Sequence, residues 1–299
     1  MSTSSNGSSN YNSSSSEYRL IKRSCPDSPS SSKRSRLKTT GEDYQLRKLT
    51  YYGDKTQTND EVHQSIELCP VMKALVDTEV FQRLRHIKQL GTSEYLYDCA
   101  NGNRFQHSLG VAALAERMTQ TIKDEQPKLN ASDKDVLCVK LAGLLHDIGH
   151  GPYSHLYESF RLGQLPQYLK QHPELNECYK DCEHLLVPTK WSHEDSSLVM
   201  IDTALAELGL AIDLYHLDEP LRQIGHGVDA TSMKVFKPPD DSKDCILTSR
   251  DFIFIKECIL GEPLPEVKEK LHISTFIGRK EHYKEWLYDV VNNRYSGLE

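Results

Sequence analysis

The chain has 299 residues, 26% charged and 37% hydrophobic, with a net charge of -7 and a mean hydropathy of -0.58. This is the composition expected of a soluble protein with one large domain or two small ones, and no apolar run approaches the roughly 20 residues that span a bilayer, so no membrane partner is expected. The eight cysteines (25, 69, 99, 138, 178, 182, 245 and 258) lack framework spacing, and no export signal is visible. Reduced thiols in the nucleus or cytoplasm are therefore expected.

Residues 1–50 carry nine Lys/Arg against four Asp/Glu, a balance of +5 that leaves -12 on the rest. Residues 1–32 hold fourteen serines and almost nothing apolar, so residues 1–50 read as a disordered tail. Its run Lys33-Arg34-Ser35-Arg36-Leu37-Lys38 reads as a nuclear localisation signal, or else as a solvated charge run. An acidic body is no general nucleic-acid surface, so a nucleic-acid partner has no support in the sequence.

Residues 51–299 read as one mostly helical domain. A small β-hairpin is expected near residues 50–65, then a helical stripe from Ile66 to Val76 and a short helix from Phe81 to Ile87. Gly91 to Gly102 reads as a loop with Tyr95, Leu96 and Tyr97 packed in it. Residues 105–124 form an amphipathic helix with Leu109, Ala112, Ala113, Met118 and Ile122 on a broad face. Ser132 is the N-cap of the next helix, with Asp135 in a box-like position and Val136, Leu137, Leu141, Leu144 and Leu145 buried. Gly149, Gly151 and Pro152 stop it. Helices are expected over 194–215, 250–260 and 280–292, and a loop over 222–246. The fold class is all-α.

The chemistry concentrates at the end of the fourth of these helices. His146-Asp147 offers an imidazole nitrogen and a carboxylate oxygen, a set suited to Zn, Fe or Mn. Adjacent residues on a regular helix point about 100° apart, so convergence on one ion needs the helix to end here, as the glycines imply. His107, 39 residues earlier, can supply a further nitrogen. The string from His146 to His155 holds three histidines and a carboxylate in ten residues. Helix-end histidines satisfied locally would explain one of them, not three. Cys178, Cys182 and His184 are close in sequence, but their spacing is a poor zinc-site match.

These strings carry a resemblance. Arg104-Phe105-Gln106-His107-Ser108-Leu109-Gly110 and Leu144-Leu145-His146-Asp147-Ile148-Gly149-His150-Gly151-Pro152 resemble the HD superfamily of metal-dependent phosphohydrolases. More narrowly they resemble its animal deoxynucleoside triphosphate triphosphohydrolases, which also carry a SAM domain. Asp77 to Arg85, Ile87 to Gly91 and Lys190 to Glu194 support the match. The resemblance implies an HD-domain helical bundle and His107, His146 and Asp147 as metal ligands. It implies His150 and His155 facing the substrate phosphates, Arg104 neutralising their charge, and Gln89 on the sugar or base side. His193 would be the general acid, with Glu158, where the family usually has aspartate, orienting an imidazole. The implied reaction converts a deoxynucleoside triphosphate (dGTP-type) to deoxynucleoside and triphosphate, with Mg accompanying the nucleotide.

The resemblance further implies a guanine-nucleotide activator at Asp77, Gln82 and Arg85 and assembly into a homo-oligomer. Read from the residues alone, Gln82 and Arg85 are a helical pair one turn apart. Two departures bear on the activator: Thr56 where the family uses lysine, and Asp60-Glu61-Val62-His63-Gln64 where it has Asp-Pro-x-His-Gly. Residues 1–50 are too short and polar for a SAM domain. The family's fourth metal ligand, an aspartate, would fall just past Glu299, with Asp289 the candidate nearest to hand. Competing expectations are a phosphohydrolase of another nucleotide and a non-catalytic nucleotide-binding regulator.

Overall fold

A computed structural model describes residues 49–50, 56–175, 191–225, 233–236, 245–271, 275–279 and 282–292. The chain divides into Met1–Gln45 and Leu46–Glu299, and all described residues belong to the second unit. The basic run at 33–38 and the Cys178/Cys182/His184 group lie outside the described residues.

Strand β1 (Leu49–Thr50) pairs in parallel with a strand at Met233–Phe236. Strands β2 (Thr56–Asp60) and β3 (Gln64–Leu68) form the expected hairpin, with Asp60 Oδ1 accepting from the backbone N–H of Val62 at 2.9 Å and of His63 at 2.7 Å. The helical stripe expected from Ile66 begins later. Ile66 and Leu68 end β3, both buried on one face, and helix α1 (Pro70–Val76) starts only at the proline. Proline favours the first turn of a helix and pushes the residue before it into extended conformation. Cys69, at φ -68° and ψ 161°, shows this.

Helix α2 (Glu79–Gln82) continues as a 3-10 turn over Arg83–His86. Its N-terminal amides are satisfied from far along the chain. The Glu207 carboxylate accepts from Glu79 N–H at 2.7 Å and Val80 N–H at 3.3 Å. Phe81 is fully buried edge-on to Phe105, at 5.5 Å between centroids; burial of such a ring contributes about 1.5–3 kcal/mol.

The loop after it differs from expectation. Tyr95, Leu96 and Tyr97 are not packed but 76%, 82% and 65% exposed. Backbone pairing closes the loop at its neck, through Lys88 with Asn103 and Gln89 N–H to Gly102 O at 3.0 Å, so the tip projects into solvent.

Helix α3 (Arg104–Glu125) buries Ser108, Leu109, Ala112, Ala115 and Thr119, a stripe with helical spacing. Met118, expected on that face, is exposed; Thr119 takes the buried place because its hydroxyl donates to Ala115 O at 2.7 Å. Helix α4 (Asp133–Leu145) opens with the Ser132/Asp135 capping box and buries the five apolar residues expected. It packs along α3 and lies in the middle of the bundle.

Helices α5 (His155–Ser159) and α6 (Leu165–Gln171) flank a π-helical turn at Phe160–Gln164. Helix α7 (His193–Glu207) ends eight residues short of the expected 215, because Gly209 adopts φ +75° and turns the chain into β4 (Leu210–Ala211). The segment read as a loop over 222–246 contains β5 (Arg222–Gln223), β6 (Met233–Phe236) and β7 (Cys245–Ile246), all short. Helix α8 (Ser249–Leu260) is as expected, with a Thr248/Asp251 capping box, and packs on α4. Helix α9 (Pro265–Leu271) was not anticipated, and the expected 280–292 helix is a 3-10 helix at His282–Asp289. The fold is the expected helical bundle, with three small sheets among the described residues. Among the described residues no helix is long and apolar enough to cross a membrane.

Candidate functional site: a metal centre beside a histidine cluster

Helix α4 stops at Leu145, and His146 to Gly149 form a turn. Leaving the helix lets both His146 and Asp147 face the first turn of α3, where His107 lies. The ring nitrogen Nε2 of His146 is 3.3 Å from Nε2 of His107. Asp147 Oδ2 is 3.2 Å from the latter and 3.3 Å from the former. Three donors held by bonds near 2.1 Å to one ion stand about 3 to 3.5 Å apart, so this triangle has the dimensions of a coordination face. His146 Nδ1 lies 2.7 Å from Gly143 O, a bond that puts its proton on Nδ1 and the ligating lone pair on Nε2. Gln89 reaches His107 Nδ1 at 3.0 Å; ligation through Nε2 requires the Gln89 carboxamide to present its oxygen there.

Asp147 is fully buried. Burial would raise its carboxyl, but the imidazoles of His146, His107 and His150 gathered around it outweigh burial and hold it well below the usual carboxylate range. Its Oδ2 also takes Arg104 Nη1. Its Oδ1 has no hydrogen-bond partner although His150 Nε2 is 3.2 Å away, and both ring nitrogens of His150 are likewise unsatisfied. Unsatisfied buried polar atoms are rare in folded proteins. Together with two imidazoles and a carboxylate they fit a divalent ion of the Zn, Fe or Mn type and a polar ligand beside it.

That ligand would meet a second cluster. His150 and His193 stack at 4.1 Å with 12° between planes, and His155 stands edge-on to both, at 4.8 and 5.1 Å. Glu158 Oε2 lies 3.3 Å from His193 Nδ1 and 3.4 Å from His155 Nδ1, so one oxygen orients two rings. His150 and His193 are buried and His155 is exposed. Burial pushes the His150 imidazole below its ordinary value, against the pull of Asp147.

Arg104 is buried at the first position of α3; its Nε donates to Ser154 Oγ at 3.0 Å. Tyr153 and Ser154 both have positive φ, at 63° and 56°. Strain of this kind collects at functional turns. Here it aims the Ser154 hydroxyl at Arg104 and at Lys88 O, 2.8 Å away.

The expected activator residues are arranged differently. Asp77 is exposed and pairs with Lys73 at 2.5 Å. Gln82 Nε2 donates to Val76 O at 2.7 Å, and Arg85 Nε donates to Gln82 Oε1 at 2.8 Å, its guanidinium over the Phe105 ring. Asp289 is exposed on the 282–289 helix and belongs to neither donor cluster.

Three site-building residues carry no sequence signal of their role. Arg83 donates to His150 O at 2.8 Å and to Ile148 O. Ser197 accepts from Gly149 N–H at 2.9 Å and donates to His146 O at 2.6 Å. Gly149 leaves room for α7: a Cβ there would stand 2.2 Å from Ser197 N and 2.4 Å from His193 O.

Residues 104–178 match the HD domain. The chain is 33% identical over 241 residues to the deoxynucleoside triphosphate triphosphohydrolase SAMHD1 of Bos taurus, covering 81% of this chain and 33% of that protein. It is 34% identical over 241 residues to the Homo sapiens protein of that name, covering 81% and 30%. A Dictyostelium discoideum homolog is 35% identical over 161 residues, covering 54% and 27%. The chain spans about a third of the length of these relatives.

Proposed function

We propose that this chain, whose residues 104–178 match the HD domain, is a metal-dependent phosphohydrolase that converts a deoxynucleoside triphosphate of the dGTP type to the deoxynucleoside and triphosphate. The supporting observation is the donor triangle of His107, His146 and Asp147, with edges of 3.2–3.3 Å, set against the stacked His150 and His193. The relatives named for that reaction share the region that contains both clusters.

In this reading His107, His146 and Asp147 hold a Zn, Fe or Mn ion. When bound, such an ion supplies a Lewis acid beside the α-phosphate and lowers the pKa of water. The chain's own groups do the rest. His150 and His155 contact phosphate oxygens. Arg104, whose planar fork already spans Asp147 and Ser154, contributes positive charge at the buried end of the site. Glu158 Oε2 accepts a hydrogen bond from Nδ1–H of His193 and orients the ring so that its Nε2–H is offered to the leaving oxygen. Gln89 orients His107 and borders the sugar. Mg accompanies the nucleotide.

The same reading gives the basic run 33–38 a nuclear-targeting role, and it gives Asp77, Gln82 and Arg85 a guanine-nucleotide activator that promotes self-assembly. The test is direct. The purified 299-residue chain is assayed for bound metal and incubated with dGTP and Mn or Mg. Triphosphate release, abolished in His146→Ala, is the expected result. Bound metal without turnover favours a non-catalytic nucleotide-binding regulator, and activity that survives in His146→Ala overturns the site.

A further inference from the structure

The turn that carries the donors, His146 to His150, makes no regular secondary structure of its own. Something must hold it, because coordination and phosphate contact both demand positions good to about 0.5 Å. Ser197 holds it from the α7 side. The Arg83 guanidinium also bonds its backbone, donating from Nη1 to His150 O at 2.8 Å and from Nη2 to Ile148 O. These two carbonyls belong to the residues on either side of Gly149. A planar fork can span two carbonyls two residues apart; a lysine ammonium, a point charge, reaches only one at a time.

The platform behind Arg83 is itself fixed. Its neighbours Phe81 and Leu84 are fully buried, and the start of α2 is capped by Glu207 at the far end of α7. The chain thus closes a ring. The α7 helix begins at His193 and bonds the turn through Ser197, and it ends by capping the helix that delivers Arg83 to that same turn. Nothing in the proposed chemistry uses Arg83. Its Nε is buried without a hydrogen-bond partner, and the whole side chain is spent on two backbone oxygens.

We propose that Arg83 is the positioning residue of the metal-binding turn: it sets the spacing of the Asp147 and His150 side chains without touching ion or substrate. The inference deepens the phosphohydrolase reading, and its test is built so that the two can fail separately. The first arm is amide hydrogen exchange on the metal-free full chain. Arg83→Met is expected to raise exchange over residues 146–151 by about 10-fold or more, with α3, α4 and α8 unchanged. Arg83→Lys should restore part of the protection. Unchanged exchange in the turn, or a rise spread evenly over the chain, overturns the proposal. The second arm is titration with Mn alone. Arg83→Met should weaken binding by about 10- to 100-fold, the range seen when groups behind metal ligands are removed, and Arg83→Lys by less. Equal Mn affinity in wild type and Arg83→Met also overturns it. A wild-type chain that binds no Mn defeats the phosphohydrolase reading, while the exchange arm still decides the role of Arg83.

Discussion

Replacing Gly149 by alanine adds one methyl group where there is no space. The new Cβ would lie 2.2 Å from Ser197 N, 2.4 Å from His193 O and 2.5 Å from Ser196 C, all backbone atoms of α7 or its first turn. Side-chain rotation cannot relieve such contacts, so the start of α7 and the turn must separate by about 1 Å. Overpacking of this kind costs about 1–3 kcal/mol. The separation also breaks the two buried hydrogen bonds of the Ser197 hydroxyl, at about 1 kcal/mol each. The sum, about 3–5 kcal/mol, corresponds in a domain of this size to a fall in Tm of about 6–20 °C. Function should suffer more than stability. His193 leaves the stack on His150, and a displacement of about 1 Å can cost about 100-fold in rate. Calorimetry and single-turnover triphosphate release on Gly149→Ala test both parts. A Tm within about 2 °C of wild type together with an unchanged rate would refute the packing argument.

His146→Ala removes one corner of the donor triangle and with it two of its three edges. Saturating Mn at about 100-fold over its Kd should stabilise wild type by about 2.7 kcal/mol and leave this variant's Tm unmoved, which differential scanning calorimetry with and without Mn or a chelator will show. Ser132→Ala deletes the hydroxyl half of the α4 capping box and should cost about 1 kcal/mol in urea unfolding, with no change in Mn affinity. Asp135 offers a pH test. Burial pushes its carboxyl up, but the Arg279 charge and bonds from Ser132, Arg279 and Lys284 outweigh it and hold the group below 3.8. A depressed carboxylate contributes stability above its unfolded value that is lost as pH falls through its folded one. The stability gap between wild type and Asp135→Asn should therefore be wide near neutral pH and close as pH falls through and below the ordinary carboxylate range; a gap independent of pH would sink the assignment.

Much of the helical frame was legible before any coordinates. The Ser132 cap, the apolar face of α4 and the extent of α8 depend on neighbours within a few residues, and local signals specify them. The misreadings came where a local pattern had two solutions. Ile66 and Leu68 fit a helical stripe as well as a strand, and Pro70 decided between them. Met118 and Thr119 compete for one buried position, and the polar residue won it by bonding back to Ala115 O. Tyr95 to Tyr97 look like core residues by type, but the loop neck at Lys88 and Asn103 carries them outward.

The donor types of the candidate metal centre belong to the sequence. His107, the His146-Asp147 pair and the glycines that end α4 are visible in order along the chain, and so are His150, His155 and His193. The tertiary structure alone decides that their atoms meet. The 3.2–3.3 Å triangle joins residues 39 positions apart. The Ser197 bond spans 48 positions, the Arg83 clamp 65 and 67, and the Glu207 cap 127 and 128. Periodicity and capping act over one or two turns of backbone and carry no information at those separations. Only the packing of α2, α4 and α7 against one another brings Arg83 and Ser197 to the same turn, and that packing requires a glycine at position 149.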